Sequence, residues 1–431
     1  MTTKLPESIT RALRPVLTLF SGQTAQQGII AAADQGIISI TNFASALLLA
    51  RAVEPTEFGV YAVGFLLLHL LRALQDGLIV QPLSTYGPVM EIGAFRRYAT
   101  ENGVLQVLLA GSSAAAAAVF GWFLTFLGND TAGPTLFIMW FVFLTWPLQE
   151  FIRRCFYSRN QIPKGVVNTI TASLIRLGVL VIWASENRLN GQAGLNAIGW
   201  GSLIALTLGI WQARQFWTFR KIDVLKTARK NWEFGKWVLG GSLANWGAAE
   251  LYPLLAAGII SFAAAGAYRA LQNLVAPVHV LLRAIDTFLT PRAAWLYHHQ
   301  GFRGLSRGLR LIYMVSGIPI LGLLVLVSLF PEPLLTLLYG ETYLPYSEGM
   351  ALMAVFYILW FAYWPLLAAY KAIRMTRPIF VANIAAIASM FTIGIWAIHK
   401  WGVYGAIGGQ ALNAFIVSAG LWGNWIVVRR R

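Results

Sequence analysis

Leu70-Leu71-Arg72-Ala73-Leu74-Gln75-Asp76 lies inside one long apolar run of this chain, and Leu281-Leu282-Arg283-Ala284-Ile285-Asp286 lies inside another, far downstream. An arginine within hydrocarbon costs about 3 kcal/mol on insertion scales, so a chain that repeats one in two apolar runs is expected to use it. The expected use is a watery, cationic interior, and hence transport of something anionic. The runs themselves set the fold class. At 57% hydrophobic and 12% charged over 431 residues, with 17 Trp, the composition is that of an integral membrane protein. Stretches long enough to cross a ~30 Å hydrocarbon layer at about 1.5 Å per residue recur along the chain. They lie at 26–50, 57–83, 102–127, 134–152, 165–184, 194–213, 236–260, 263–290, 309–330, 349–370, 378–398 and 402–428. The reading is an all-α membrane protein of about twelve transmembrane helices.

The net charge of +16 raises nucleic acid as a partner, but the placement of the cations speaks for a membrane instead. Most of the 33 Lys and Arg fall in alternate loops: Lys4, Arg11 and Arg14, then Arg96 and Arg97, Arg153 to Lys164, and Arg214 to Lys236. Arg292 to Arg310, Lys371 to Arg377, and Arg429 to Arg431 continue the series, while the intervening loops hold only Arg51, Arg188 and Lys400. The positive-inside rule then places both termini in the cytoplasm. The single cysteine, Cys155, excludes a disulfide framework and a Cys-based metal site, and reads as a packing residue near a helix end. No cleavable signal peptide is expected, because the first apolar run is already of span length. Residues 4–20 read either as an interfacial amphipathic lead-in or as a tail.

The polar, basic interval 216–235 divides the runs six and six. It predicts a cytoplasmic N-terminal segment (1–25), an N-lobe (26–215), a linker (216–235) and a C-lobe (236–431). Short correspondences recur in the same order in both halves. Phe58-Gly59-Val60-Tyr61 matches Ala265-Gly266-Ala267-Tyr268, Trp146-Pro147-Leu148 matches Trp364-Pro365-Leu366, and Val167-Asn168 matches Ala382-Asn383. An even number of spans per half makes these parallel, pseudo-symmetric repeats, with substrate expected between them near the midplane. Gly240-Gly241-Ser242, Gly247-Ala248-Ala249 and Gly405 to Gly409 are expected at close helix seams.

The ionisable residues within the runs are the candidate site. Arg72, Arg176, Arg269 and Arg283 are candidate substrate-binding groups, able to clamp phosphate in a bidentate manner. Asp34, Asp76, Glu250 and Asp286 are candidate ion-coupling or charge-balancing groups, and Glu150 lies near a helix end. Arg72 with Asp76, and Arg283 with Asp286, stand at helical spacing, so local ion pairing competes with a role in binding. Arg176 has no acid within a turn and calls for substrate, or for Asp34 or Glu150 from another helix. Arg269 sits near an outer end and either snorkels or faces the cleft. No catalytic residue, metal site or cofactor is expected: the five His make no cluster, His298-His299 included, and no phosphate-binding Gly-x-x-x-x-Gly-Lys-Ser/Thr loop occurs.

The join of the first two runs reads Asn42-Phe43-Ala44-Ser45-Ala46-Leu47-Leu48-Leu49-Ala50-Arg51-Ala52-Val53-Glu54-Pro55-Thr56-Glu57-Phe58-Gly59-Val60-Tyr61-Ala62. This resembles the opening of the bacterial Wzx-type oligosaccharide flippases, of the multidrug/oligosaccharidyl-lipid/polysaccharide exporter superfamily. There an Asn-Phe, an aliphatic run, Ala-Arg, a Pro-x-Glu-Phe-Gly turn and Tyr-Ala follow one another. The resemblance implies a V of two six-helix lobes around a cationic cavity, in the bacterial inner membrane. It further implies movement of a polyprenyl-diphosphate-linked, anionic oligosaccharide for exopolysaccharide, capsule or O-antigen export. Membrane lipids, and a polysaccharide polymerase, would be its partners, and nucleic acid would not. The acids accompanying the arginines depart from a purely cationic lumen. The competing readings are a cation-coupled drug or metabolite antiporter of the same fold, and a membrane glycan polymerase, ligase or glycosyltransferase. The outer loop 331–348 offers an enzyme only Glu332, Glu341 and Glu348, so a non-enzyme is expected.

Overall fold

The computed structural model describes residues 23–430 except 374 and 376; the side chains of 23–29, 245, 249, 283, 284, 286–288, 290, 291 and 430 lie outside the description. The stretch 4–20 and the side chains of Arg283 and Asp286 therefore fall outside the described residues. Every element described is helical. In order they are α1 (Gln23–Ala52), α2 (Pro55–Gln75), a π-helical turn (Asp76–Val80), α3 (Gln81–Tyr86), α4 (Ile92–Phe126), α5 (Ala132–Ser158), α6 (Ile162–Ser185) and α7 (Gly191–Gln212). The chain continues as α8 (Val224–Ile259), α9 (Phe262–Leu274), α10 (Ala276–Leu329), α11 (Pro331–Tyr339), α12 (Gly349–Ala372), α13 (Arg377–Ser389), a second π-helical turn (Met390–Gly394) and α14 (Ile395–Arg430).

Among the described residues, nine helical stretches are long and apolar enough to cross a membrane. The twelve apolar runs map onto the helices as follows. Runs 378–398 and 402–428 share one stretch of 53 residues, Arg377–Arg429, which Gly402 breaks with φ 58° and ψ −130°. Only glycine adopts that backbone without strain. A Cβ on Gly405 would stand 1.9 Å from the Ala397 carbonyl oxygen, so the chain doubles back at this point. Run 236–260 falls on α8, whose opening turns carry Lys226, Arg229, Lys230, Glu233 and Lys236 and whose remainder, from Trp237, is largely apolar with Glu250 its one charged residue. Run 263–290 is divided between the 13-residue α9 and the start of α10.

The chain forms two compact units. The first takes the chain to Ala46, with Leu71–Leu189 and Ala193–Gly240; the second takes Leu47–Leu70, Asn190–Gln192 and everything from Gly241. In the first unit Ile79, Phe95, Phe151, Cys155, Phe156 and Phe216 close a buried core. Cys155 is a free, fully buried thiol within it. Helices α4 and α5 approach to backbone contact, since a Cβ on Gly121 would lie 2.3 Å from the Phe137 nitrogen. The interval 216–235 packs on this unit as well. Glu101 accepts from the Asp223 backbone N–H (2.7 Å) and the Thr227 hydroxyl (2.6 Å), and buried Asn231 accepts from the Tyr98 hydroxyl (2.7 Å). Pro82 cannot donate to the Leu78 carbonyl as a helix requires; the Asn231 amide donates to that oxygen instead, at 3.1 Å.

In the second unit Leu289, Leu366, Tyr370, Val417, Leu421 and Trp425 belong to one buried core. Arg51 donates to the Leu337 and Leu338 carbonyls in the last turn of α11, where helical carbonyls lack partners. That cap accounts for a cation in a loop series otherwise poor in them. Of the expected small-residue seams, Gly405 and Gly409 are close contacts, the latter against the Tyr252 ring, but Gly240 and Gly241 face no atom within 4 Å.

Gly59 and Gly266, matched as repeats by sequence, meet at one point in this unit. A Cβ on Gly59 would lie 1.8 Å from the Phe262 carbonyl oxygen, and one on Gly266 would lie 2.7 Å from that of Pro55. Phe262 is the repeat counterpart of Pro55, so the two contacts are one contact made twice, as a two-fold relation demands. Gly59→Ala is expected to destabilise by about 1–3 kcal/mol, because backbone cannot yield as a side chain does. Thermal unfolding in detergent checks this against Gly178→Ala, whose Cβ would meet nothing within 4 Å and should leave the midpoint unchanged or raised.

Candidate functional site

The first unit gathers six charged side chains into one network. Asp34 comes from α1, Arg72 from the last turn of α2, Asp76 from the π-helical turn, and Glu150, Arg153 and Arg154 from α5. Arg153 is the centre. Its Nη1 donates to Asp34 Oδ2 (2.5 Å), while Nε and Nη2 donate to the two oxygens of Glu150, both at 2.8 Å. Arg154 Nε donates to Glu150 Oε1 (2.7 Å), and the Tyr157 hydroxyl donates to Asp34 Oδ2 (2.5 Å). Asp34, Glu150 and Arg153 keep 2%, 7% and 7% of their side-chain exposure, so only mutual pairing makes their burial tolerable.

Arg72 and Arg154 differ in kind from Arg153. Arg72 Nε stands 3.7 Å from Asp76 Oδ2, beyond hydrogen-bond length, with 36% of the side chain exposed, and Arg154 keeps 27%. Arg72 also lies near Glu150, and Arg154 near Asp76. The π-helical turn that begins at Asp76 is a local departure from α-helix of a type frequent at functional sites. Three acids and three guanidiniums thus share one region, two of the guanidiniums still reachable by an incoming anion.

The structure places the remaining predicted residues elsewhere. Arg176, 8% exposed, donates to Asn42 Oδ1 at 2.8 Å. The acids expected to pair with it, Asp34 and Glu150, are engaged by Arg153 instead. In the second unit Glu250 Oε1 lies 3.0 Å from His69 Nδ1, and Arg269 donates to Gln272 Oε1 (2.7 Å) with its guanidinium over the Phe65 ring at 5.2 Å. Asp34 Oδ1 and Glu250 Oε2 are buried and have no hydrogen-bond partner among the described residues.

Arg153 and Arg154 were missed as site residues because loop counting assigned them to the cytoplasmic series; α5 in fact runs on to Ser158 and turns Arg153 inward. The signal was available in Glu150-x-x-Arg153-Arg154, whose i,i+3 and i,i+4 spacings bring both cations onto the acid. His69 was missed because a lone histidine in an apolar run carries no pattern.

A family model described as "Polysaccharide biosynthesis protein" matches residues 48–348. The chain belongs to that family. No curated protein matches the sequence. Among solved structures, an inward-facing multidrug-resistance MATE transporter of the MOP superfamily aligns with TM-score 0.72 at 12% identity, covering 91% of this chain and 94% of the other. The outward-facing form of such a transporter aligns with TM-score 0.63 at 11% identity, over 93% and 94%. A MOP superfamily transporter from Pyrococcus furiosus, described as having a binding pocket of reverse polarity that suggests a different function, aligns with TM-score 0.60 at 12% identity, over 93% and 94%. This member of the polysaccharide biosynthesis family is thus a multi-pass membrane protein with the MOP transporter fold, as the opening motif led us to expect.

Proposed function

We propose that the protein is a flippase that carries polyprenyl-diphosphate-linked oligosaccharide across the bacterial inner membrane by alternating access, for exopolysaccharide, capsule or O-antigen export. The supporting observation is the pair of part-exposed guanidiniums, Arg72 and Arg154, set beside the buried Asp34–Arg153–Glu150 cluster. A diphosphate headgroup is the ligand for which two planar, charge-bearing donors are best suited. The neighbouring acids hold these cations in place without a cargo and keep the empty site near neutral. In this reading the two six-helix lobes, 26–215 and 236–431, rock about the linker 216–235 with both termini in the cytoplasm, and a polymerase receives the product outside.

A cation-coupled drug antiporter is the second reading, favoured by buried Asp34 on α1 and half-buried Glu250 on α8, each of which retains one buried oxygen without a partner among the described residues. Proteoliposomes separate the two. The flippase reading expects fluorescent polyprenyl-diphosphate glycan to cross at least ten times faster than in protein-free vesicles, with no uptake of an organic-cation dye. Dye movement under an H⁺ or Na⁺ gradient, without glycolipid movement, would establish the antiporter instead.

A further inference from the structure

We infer that a cleft between α10 and α14, in the second unit, binds an anionic phospholipid, with Arg310 and Arg429 holding its phosphodiester. The cleft measures about 400 Å³. Its charged lining residues are Arg310 on α10 and Arg429 on α14. Arg310 and Arg429 are both exposed, and neither makes an ion pair among the described residues. The Ser306 hydroxyl on the same wall is buried with no hydrogen-bond partner among the described residues, which leaves a donor available.

The rest of the cleft is built from rings whose polar ends are turned away. The Tyr313 hydroxyl and the Trp422 indole N–H both donate to the Ala362 carbonyl of α12, at 2.7 and 2.8 Å, which commits those groups inward. Trp425 stacks on Phe302 with centroids 4.7 Å apart. Beyond them Met314 and Ile426, 60% and 50% exposed, carry the apolar lining out onto the surface. A free phosphate would find no use for that apolar wall, and a peptide would bring backbone groups that the wall cannot pair. A lipid matches both ends, with its chains along Met314 and Ile426 and its headgroup on the guanidiniums.

Location agrees with the chemistry. Arg303, Arg307, Arg310 and Arg429 belong to the basic series that the positive-inside rule assigns to the cytoplasmic side, where anionic headgroups are attracted to basic pockets between helices. A larger cleft beside Lys400 is a poorer candidate. Its one ammonium is already faced by the Trp396 and Trp401 rings, at 5.2 and 5.4 Å.

Native mass spectrometry of the purified full-length chain, titrated with dioleoyl-phosphatidylglycerol, tests this. The lipid is expected to bind at least ten times more tightly than dioleoyl-phosphatidylcholine, and millimolar inorganic phosphate should not displace it. The R310Q/R429Q variant is expected to lose about ten- to thirty-fold in affinity, as two near-surface cations would give. The R303Q/R307Q variant removes equal charge from the same side but outside the cleft and should bind within two-fold of wild type. Equal affinity for the two lipids overturns the proposal, as does an equal loss in both variants, which would mean diffuse surface charge. Displacement by phosphate would mean a free-anion site and overturns it too. None of these results depends on whether the protein flips a glycolipid.

Discussion

Arg153→Ala will cost about 3–5 kcal/mol of stability, the range for removing one partner from a buried ion pair. The guanidinium joins Asp34 Oδ2 to Glu150 through three hydrogen bonds of 2.5–2.8 Å. Without it, among the described residues, Asp34 keeps the Tyr157 hydroxyl and Glu150 keeps Arg154 as hydrogen-bond partners. Domain stabilities of about 5–15 kcal/mol leave little reserve for such a loss, so the variant should accumulate poorly in membranes. Two further variants make the cause identifiable. Arg153→Lys keeps the charge but cannot fork to both acids, and should fall between wild type and Arg153→Ala in thermal midpoint. The triple variant D34N/E150Q/R153M removes every charge of the triad and should recover most of the stability, since a buried pair replaced by neutral groups is often close to neutral overall. An unchanged midpoint for Arg153→Ala would mean that the network does not hold α1 to α5.

The second large effect falls on transport and spares the fold. Arg72→Gln with Arg154→Gln should lower glycolipid translocation about a hundred-fold or more, because each guanidinium offers a charged donor worth about 1.5–3 kcal/mol to a phosphate oxygen. The midpoint should move less than for Arg153→Ala: the Arg72 carboxylate contact is 3.7 Å long with the side chain 36% exposed, and loss of Arg154 still leaves Glu150 both of its hydrogen bonds from Arg153. Exposed pairs of that kind contribute about 0–1 kcal/mol. Lysine at both positions should restore only part of the activity, since a point charge replaces a bidentate fork. A translocation defect matched by an equal loss of folded protein would mean that the two residues serve structure alone.

Much of the fold was legible in the sequence because the signals were physical and repeated. Apolar run length pointed to the spans, and matching Gly59 with Gly266 marked equivalent positions, although their close backbone contact was not legible in the sequence. Span seven is the apolar remainder of α8 after its charged opening turns, while span eight is divided between the 13-residue α9 and the start of α10. At Gly402 the sequence boundary between spans coincides with a break in the helix, where φ is 58° and ψ −130°.

The site was legible in type and only partly in place. Arg72 with Asp76 could be paired from spacing alone, and Asp34 could be named as an acid in need of a partner. Its partner is 119 residues away on α5, and no local pattern reports such a distance. Loop counting worked against Arg153, because a rule about averages cannot tell which cation in a helix end turns inward. Arg176 met a neutral group, Asn42, which belongs to the same Asn-Phe motif that carried the family resemblance. That contact gives the motif asparagine a physical role in fixing α6 against α1.

The central claim is that guanidiniums grip a phosphate during its passage, and it is tested most directly by comparing two cargoes in proteoliposomes. One is polyprenyl-diphosphate glycan; the other is the same glycan on an uncharged polyprenyl lipid. Wild-type protein should move the diphosphate form at least ten times faster, and R72Q/R154Q should erase that preference while remaining folded. Equal rates for both lipids in the wild type, or an undiminished preference in the variant, would contradict the account.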